Sequence, residues 1–448
     1  MAGVATTLSR RLRVGYASGG VATGSFGTVP GLLLLPYLTD ALGVGALLAG
    51  AVVFLPKALD VLLNPVTGRL SDRLAGRHGR RPFLLVGGLG LAVGFVLLFS
   101  GPPAPEAVAV AWVVVAFALC AVAYSAFQVP FVALPAELTD DPHERTVLLT
   151  WRVAVLAVAI LVSGASAPAI RDAVGGTAGY RAMAVAVGLL IALGALGAWA
   201  GTRSAAGSVV PAPPGGLGRH LRLALGVHDF RVLLATFVLQ ALAIGCMLAA
   251  VDYLAREVLA RPGASAVLFA CFVGPALLVT PLWGRLADRA GKKRGYQLAS
   301  ALLGLAAAGA VLAGRVPVGV VFALAAVAGV GYAGCQLFPM AMLPDTAADD
   351  ARRTGENRVG VLTGVWTAGE TLGLALGPAV LALLLAVGGY VSTRGDDVGQ
   401  PPGALTAITL GFSLVPAVLV AVSLLTLRGH GRDAVPSPAP TPSLEEPR

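Results

Sequence analysis

The stretch GRLSDRLAGRHGRRP, residues Gly68–Pro82, recurs in shortened form as GRLADRAGKKRG at Gly284–Gly295. The first copy follows the second long apolar segment of the chain, and the other copy follows the eighth. Basic loops at equivalent positions of two six-segment units are typical of a membrane protein built from two parallel repeats. The two loops therefore predict an all-α fold with two six-helix halves.

Twelve apolar segments carry this duplication, and a helix of about 20 apolar residues suffices to span a bilayer. They cover roughly residues 14–37, 44–66, 82–101, 107–136, 147–170, 180–201, 229–256, 264–286, 296–314, 317–344, 359–389 and 403–427. The chain is 56% hydrophobic and 12% charged, with a mean hydropathy of +0.82. This exceeds the apolar content of a soluble protein, so we predict a membrane protein with twelve transmembrane helices.

The segments divide the chain into two halves, a linker and a tail. The predicted boundaries are 1–201 for the first half, 202–228 for a cytoplasmic linker, 229–427 for the second half and 428–448 for a disordered tail. The linker is rich in Pro, Gly and Ser, a composition typical of flexible chain, and the tail is rich in Pro and Ser.

The net charge of +9 arises because Lys and Arg are concentrated in alternate loops. This is the pattern of the positive-inside rule. It predicts a multi-pass protein of the plasma (inner) membrane with both termini in the cytoplasm, and it argues against a nucleic-acid partner.

Several classes of chemistry lack their residue patterns in this sequence. The cysteines Cys120, Cys246, Cys271 and Cys335 lie in apolar segments without metal-like spacing, so we expect small hydrophobic side chains and no disulfides. No GxxxxGK[ST] phosphate loop occurs, which argues against an ATP-driven pump. Without a nucleophile or metal constellation, we expect neither an enzyme nor a cofactor beyond a coupling ion.

Two charged residues, Lys57 and Asp60, lie inside the second apolar segment. At a rise of about 1.5 Å per residue, Asp60 lies about 13 Å and Lys57 about 18 Å inward from Arg69. Asn64 shares the helix face of Asp60, so a carboxylate and an amide oxygen can converge on one small cation. Charge at this depth indicates a cavity, an ion or a partner. A structural ion pair between Lys57 and Asp60 remains the alternative, because i,i+3 side chains can meet.

Glu370 is a second acid near the middle of the membrane, about 18 Å beyond Arg358 along its helix. It is either a proton site, a counter-charge to Lys57, or a protonated carboxyl that is hydrogen-bonded within the bundle. Arg152 lies about 10 Å into the fifth segment, counted from Arg145.

Three further stretches resemble one transporter family. They are KALDVLLNP (Lys57–Pro65), YSAFQVPFVALPAELTDDPHERT (Tyr124–Thr146) and LPDTAADDARRTGENRVGVLTGVWTAGETLGLALGP (Leu343–Pro378). With the paired loops and the 6+6 layout, the chain resembles the major facilitator superfamily over nearly its whole length. More narrowly, it resembles the glycoside–pentoside–hexuronide:cation symporters, the family of the melibiose permease. The resemblance implies alternating access and transport of a solute together with Na⁺ or H⁺.

The resemblance implies a cation site made of two acids on the second helix and a hydroxyl on the fourth. In this chain the first acid is Asp60, the second acid position holds Asn64, and the hydroxyl is Ser125. Because an amide replaces one carboxylate, the site suits Na⁺ through neutral oxygens and equally suits a proton on Asp60.

The remaining charged positions of the family are altered in part. The position of a family lysine on the eleventh helix is Thr371, next to Glu370. Arg152 matches a family arginine near the central cavity, where it either binds solute or holds Asp60 or Glu137 in place.

The family residues that bind galactosides are missing. Gly24 and Gln128 occupy the positions of two carboxylates, and Val132 replaces an aromatic platform. Gln128 can still bind a hydroxyl or a carboxylate. Tyr124 and Trp366 are predicted to line the cavity, with helix packing as the alternative, and the solute itself stays open.

The loop charges are predicted to pair across the cytoplasmic helix ends when the inner gate is shut. Such a network can bias a two-state equilibrium, whereas isolated surface pairs contribute little. The predicted gate comprises Gly68, Arg69, Asp72, Arg73, Asp140, Asp141, Arg145, Gly284, Arg285, Asp288 and Arg289. A topogenic or solvated role is the alternative.

These patterns predict a cation-coupled symporter of a small organic solute, such as a carbohydrate or glycoside, that works as a monomer in the lipid bilayer. The main alternative is a proton-coupled exporter or carrier of an amphipathic, lipid-like solute that uses Asp60 and Glu370. A receptor or scaffold without transport activity is a further alternative.

Overall fold

The computed structural model describes residues 8–78, 80–102, 105–139, 141–203, 217–261, 263–355, 358–394 and 398–431. Within these ranges, only the backbone is described for residues 61, 62, 64–66, 68–78, 136, 142, 143, 217–220 and 359. Residues 204–216 of the predicted linker and the predicted tail from residue 432 onward lie outside the described residues.

Six long helices form the first half, one for each predicted apolar segment. They are α1 Arg10–Pro36, α2 Ala46–His78, α3 Arg81–Leu98, α4 Glu106–Leu138, α5 Pro142–Val174 and α6 Gly176–Gly201. The Ser9 hydroxyl caps α1 by accepting a hydrogen bond from the Leu12 N–H at 3.3 Å. Beyond Pro36, α1 continues as one π-helical turn, Tyr37–Ala41.

The second half repeats this arrangement after one short helix. Its helices are α7 Leu217–Gly226, α8 His228–Tyr253, α9 Ala264–Ala290, α10 Lys292–Gly309, α11 Val318–Thr354, α12 Val359–Val387, α13 Pro402–Phe412 and α14 Leu414–Leu427. Like α1, α8 continues as a π-helical turn, Leu254–Val258. α13 and α14 form one span that is interrupted at Ser413, whose backbone angles (φ −114°, ψ −84°) are not helical.

The prediction of an all-α membrane protein is confirmed. Among the described residues, 11 helical spans are long and apolar enough to cross a membrane, judged by length and composition. The remaining long helix is α2, which carries Lys57 and Asp60.

Helices extend into regions that the sequence predicts as loops. α2 runs to His78 and α9 runs to Ala290, because Arg, Leu and Ala in the repeated basic stretch are strong helix formers. α9 ends at Gly291, where a φ of +87° favours glycine. The short helix α7 lies inside the predicted flexible linker.

We call the end of the bundle where α2 meets α3 and α9 meets α10 the basic-loop end. The two halves meet along two seams, α2 against α12 and α5 against α9. Toward the opposite end, a Cβ on Gly50 would lie 2.4 Å from the Ala382 Cβ, and one on Gly164 would lie 2.1 Å from the Phe269 ring. Gly360, in the first turn of α12 at the basic-loop end, faces open space. The halves are thus packed tightly at the opposite end.

Candidate functional site

The two charges in the middle of α2 form an ion pair. Lys57 Nζ lies 3.1 Å from Asp60 Oδ2, as the i,i+3 spacing allows. The ammonium also lies 5.5 Å from the ring centre of Phe26 and 5.3 Å from that of Tyr124. Cation–π contacts with two rings and one carboxylate together compensate for the loss of water around the ammonium.

One oxygen of the Asp60 carboxylate is left available. Asp60 is only 3% exposed, and its Oδ1 has no hydrogen-bond partner among the described residues. The side chain of Asn64, the predicted second ligand, lies outside the described residues. A buried acceptor without a partner is costly to keep, so this oxygen suits a proton or a small hard cation.

The Ser125 hydroxyl, the third predicted ligand, is fully buried and donates to Thr67 Oγ1 at 2.9 Å. Thr67 lies seven residues after Asp60 on α2 and therefore on the same helix face. Sequence reasoning missed Thr67. Its spacing from Asp60 is only a weak signal, because a hydroxyl in a membrane helix can bond to its own backbone. The hydroxyl pair lies toward the basic-loop end of Asp60.

Four charged side chains gather around Tyr124 of α4. Its hydroxyl is within electrostatic range of Lys57, Asp60, Arg152 and Glu370, which come from three helices of both halves. Tyr124 also packs against Phe26, with ring centroids 4.9 Å apart. This ring therefore lies at the convergence of the predicted site residues.

Arg152 does not hold Glu137, which pairs instead with Arg80 at the basic-loop end. The Arg152 guanidinium lies over the Phe131 ring, 5.0 Å from the centroid. The Arg152 Nε has no hydrogen-bond partner among the described residues. In this conformation Arg80, the residue that precedes α3, holds the Glu137 carboxylate, so that alternative for Arg152 is not seen. Arg152 thus keeps donor capacity for a ligand.

Glu370 of α12 is half-buried and forms no ion pair with any described residue. Lys57 pairs with Asp60 rather than with Glu370, so the predicted counter-charge role is not seen in this conformation. The Tyr332 hydroxyl lies within range of the Glu370 charge. Thr371, the next residue, is half-buried.

The predicted solute residues occupy different environments. Gln128 is half-buried, and its Oε1 lacks a hydrogen-bond partner among the described residues. Gly24 packs against α5, where a Cβ would lie 3.0 Å from the Leu156 carbonyl oxygen. Trp366 is 1% exposed and stacks on Phe237, with centroids 4.4 Å apart. Gly24 and Trp366 are thus helix-packing positions in this conformation.

The predicted cytoplasmic gate is only partly visible. Asp140 and the side chains of Arg69, Asp72 and Arg73 lie outside the described residues, as does any contact of Gly68. Arg145 donates to the Thr139 carbonyl oxygen at 3.1 Å, and the Asp141 N–H donates to the Thr139 hydroxyl at 3.1 Å. Gly284, Arg285, Asp288 and Arg289 lie in the last two turns of α9.

Each ion pair described at the basic-loop end joins residues of the same half. They are Arg13–Glu144, Arg80–Glu137, Lys292–Asp345, Arg352–Asp349 and Arg358–Asp350. The predicted gate pairs across the halves stay a prediction for another conformation.

Sequence reasoning also missed a buried cluster at the opposite end of the bundle. It contains Asp40, Arg171, Asp252 and Arg256, which join the two halves. These charges lie at the ends of apolar segments, where sequence alone does not distinguish them from solvated loop charges.

The family described as "MFS/sugar transport protein" matches residues 15–428. A putative glycoside/cation symporter of Escherichia coli (strain K12), YagG, is 26% identical over 435 residues, which cover 94% of this chain and 92% of that protein.

Two solved structures share the fold. A bacterial homologue of the human lysosomal transporter Spinster, in an inward-facing and unoccupied conformation, has a TM-score of 0.70 at 14% identity over 96% of this chain and 98% of that one. A D-xylose–proton symporter has a TM-score of 0.69 at 14% identity over 93% of this chain and 96% of that one. The two-half architecture predicted from the repeated loops therefore matches that of known transporters.

Proposed function

Because the chain belongs to the MFS/sugar transport protein family, we propose that it is a cation-coupled symporter of a small carbohydrate or glycoside. YagG, which matches along nearly its whole length, is named as a putative glycoside/cation symporter, and a structural neighbour is a D-xylose–proton symporter. The two halves alternate access to a site between them. The protein acts as a monomer in the plasma membrane, with the basic-loop end and both termini in the cytoplasm.

The environment of Asp60 is the observation that carries the proposal. A carboxylate with one paired oxygen and one unpaired oxygen lies at 3% exposure in a membrane-spanning helix. An intramembrane acid of this kind indicates an ion path. The coupling cation binds Asp60 Oδ1, supported by the Ser125 hydroxyl and the Asn64 amide.

Coupling requires that cation occupancy changes the preference between the two access states. Asp60 is suited to this because its partner Lys57 contacts Phe26 of α1 and Tyr124 of α4. A cation on Asp60 weakens the hold of the carboxylate on Lys57, and Lys57 transmits the change to the rings around the cavity.

The coupling ion is Na⁺ or H⁺. The hydroxyls of Ser125 and Thr67 provide neutral oxygens of the kind that Na⁺ needs. Proton coupling is favoured by Glu370, a half-buried acid that pairs with no described residue. Two acids, Asp60 and Glu370, would then carry protons from opposite halves of the protein.

Solute recognition falls to polar groups whose hydrogen bonds are unmade. The Gln128 amide oxygen and the Arg152 Nε provide one acceptor and one donor on the first half. Tyr124 supplies an aromatic ring whose hydroxyl is within electrostatic range of Arg152 and of Asp60. This set fits the hydroxyl groups of a small sugar.

Transport by purified protein in proteoliposomes tests the proposal. Counterflow of radiolabelled pentoses, β-glycosides and hexuronides identifies the solute, and Na⁺ and pH gradients are then imposed separately. We expect one gradient to drive accumulation in the wild type and to fail in Asp60→Asn. Asp229→Asn makes the same chemical change at the start of α8, where Asp229 accepts a hydrogen bond from the Gly431 N–H at 2.9 Å, and should transport normally.

Three outcomes would contradict the proposal. Gradient-driven accumulation that persists in Asp60→Asn would remove Asp60 from coupling. Counterflow of none of these sugars, with movement of amphipathic solutes instead, would favour the exporter or carrier. A folded protein that moves no solute at all would favour a receptor or scaffold.

A further inference from the structure

Four charged residues form a buried cluster at the opposite end of the bundle. Asp40 and Arg171 come from the ends of α1 and α5 in the first half, and Asp252 and Arg256 come from the end of α8 in the second half. Each half thus contributes one acid and one base to this group of four. Two further acids, Asp172 and Glu257, border it and pair with Arg171 and Arg256.

The pair Arg171–Asp252 is the centre of this opposite-end cluster. Two guanidinium nitrogens of Arg171 each lie 2.7 Å from one carboxylate oxygen of Asp252. Arg171 is 3% exposed and Asp252 is fully buried. The Ser265 hydroxyl donates to Asp252 at 2.7 Å, so this bidentate pair is surrounded by further hydrogen bonds rather than by water.

A second ion pair crosses between the halves in the opposite sense. Arg256 of the second half pairs with Asp40 of the first half and also lies 3.3 Å from Asp252. The Tyr390 hydroxyl donates to Asp40 at 2.9 Å. Burial and the nearby Asp40 charge raise the pKa of Tyr390, which therefore remains a protonated donor.

Further hydrogen bonds close the same junction. The hydroxyls of Thr39 and Tyr253 lie 2.7 Å apart across the halves. The Thr393 N–H donates to the Thr39 carbonyl oxygen at 2.9 Å, and the Gly263 N–H donates to Asp172 at 3.1 Å. Both π-helical turns, after α1 and after α8, lie in this region, and such turns are frequent at functional sites.

Among the residues whose side chains are described, the two ends of the bundle therefore differ in how their ion pairs are arranged. The ion pairs described at the basic-loop end lie within one half, whereas Arg171–Asp252 and Arg256–Asp40 join the halves. Burying ionic groups is costly unless each one is matched. When the halves separate at this end, water can replace all of these partners at once.

We propose that the opposite-end cluster is the outer gate of the transporter, which closes the path in this conformation and comes apart when the protein opens to the outside. The proposal rests on the alternating access of the proposed function. It concerns residues other than the coupling site, and it can be measured without solute or cation.

A reporter cysteine at Gly27 tests the gate. Gly27 is the exposed residue in the otherwise mostly buried middle of α1, and a Cβ there would meet open space. In a background without the native cysteines, Gly27→Cys is labelled with a membrane-impermeant maleimide from either side of sealed vesicles. We expect the parent to label mainly from the basic-loop side.

Weakening the gate should move labelling to the other side. In Arg171→Gln, we expect outside labelling to rise about tenfold or more, because a charged pair across the halves is lost. Ser265→Ala removes only one hydrogen bond to Asp252, so outside labelling should rise by a smaller factor, about threefold. Glu144→Gln breaks an ion pair that lies within the first half, Arg13–Glu144 at 2.9 Å, and should leave outside labelling unchanged.

The double variant Arg171→Gln/Asp252→Asn covers the possibility that the single change leaves a buried charge that prevents folding. If Ser265→Ala and the folded gate variants label from outside no faster than the parent and Glu144→Gln, the cluster is structural and the proposal fails. If the protein transports no tested sugar but the gate variants still shift the labelling, the gate proposal holds and the proposed symport function fails.

Discussion

Lys57 neutralises the charge of Asp60 but leaves one oxygen of the Asp60 carboxylate without a hydrogen bond. The ammonium contacts one carboxylate oxygen at 3.1 Å and two aromatic rings, while the other oxygen lacks a described partner. A buried pair replaced by apolar residues is often no less stable, so stability alone does not explain why these charges are present. The arrangement is better suited to an exchange of partners during transport.

Gln128 provides a residue-scale test of solute binding. Its amide oxygen is buried without a described partner, so removing the amide should leave the protein intact and weaken solute binding. In Gln128→Leu we expect the KM for the transported sugar to rise about fivefold, the value of one neutral hydrogen bond, with an unchanged Tm. Initial uptake rates and thermal denaturation of the purified protein measure the two quantities.

Gln240 is the matched control for this change. Its amide donates to Ser300 at 2.9 Å and to Ser423 at 3.0 Å, and it accepts from the Tyr296 hydroxyl at 2.9 Å. Gln240→Leu should therefore lower the Tm and leave the KM unchanged. The assignment of Gln128 fails if its replacement lowers the Tm while the KM stays at the wild-type value.

Sequence could identify the functional residues that contrast with their surroundings. Asp60, Lys57 and Glu370 stand out because charge is rare in apolar runs. Thr67 does not stand out, since a hydroxyl in a membrane helix can satisfy itself on its own backbone. Arg171 and Asp252 lie near segment ends, and only the folded structure reveals that they meet across the halves.

At the scale of elements, hydropathy located each long apolar span but not its ends, and it did not indicate the short helix α7. α11 continues to Thr354, ten residues beyond its predicted end, because the polar residues after Leu343 still favour a helix. The break at Ser413 within the last span lies just before Pro416, which lacks the N–H that would bond to the Phe412 carbonyl, and hydropathy does not report this break. Helix ends in water depend on capping and turn geometry, which hydropathy does not report.

Close packing of α8 against α12 makes Gly377 an element-scale test. A Cβ at Gly377 would lie 2.3 Å from the Cys246 backbone nitrogen, and backbone atoms cannot move aside as a flexible side chain can. Gly377→Ala should lower the free energy of unfolding by about 1–3 kcal/mol, the usual cost of overpacking. The midpoint of thermal denaturation in detergent measures the loss.

Gly364 on the same helix is the control, because a Cβ there would meet open space. Gly364→Ala should leave the midpoint unchanged or raise it slightly, since alanine favours the helix. Equal midpoints for the two variants would show that α8 and α12 are not in close contact.

At the scale of the whole molecule, the duplication visible in the basic loops already implies two halves, but not how they meet. The structure brings them together along α2–α12 and α5–α9, tightly at the opposite end. Two rigid bodies joined by a seam that closes at one end can move by rocking. The seam should therefore open during transport, while contacts within each half should persist.

Cross-linking tests this rocking motion. A Cβ on Gly50 would lie 2.4 Å from the Ala382 Cβ across the seam, and a Cβ on Gly88 would lie 2.2 Å from the Ala195 Cβ within the first half. Small shifts would bring both pairs to the Cβ spacing of a disulfide, about 3.8 Å. In a background without native cysteines, oxidation of Gly50→Cys/Ala382→Cys should abolish sugar counterflow, and reduction should restore it. Oxidation of Gly88→Cys/Ala195→Cys should leave counterflow intact, because these residues stay together when the halves rock. Counterflow that continues with the seam fully cross-linked would mean that solute crosses without separation of the halves at that end.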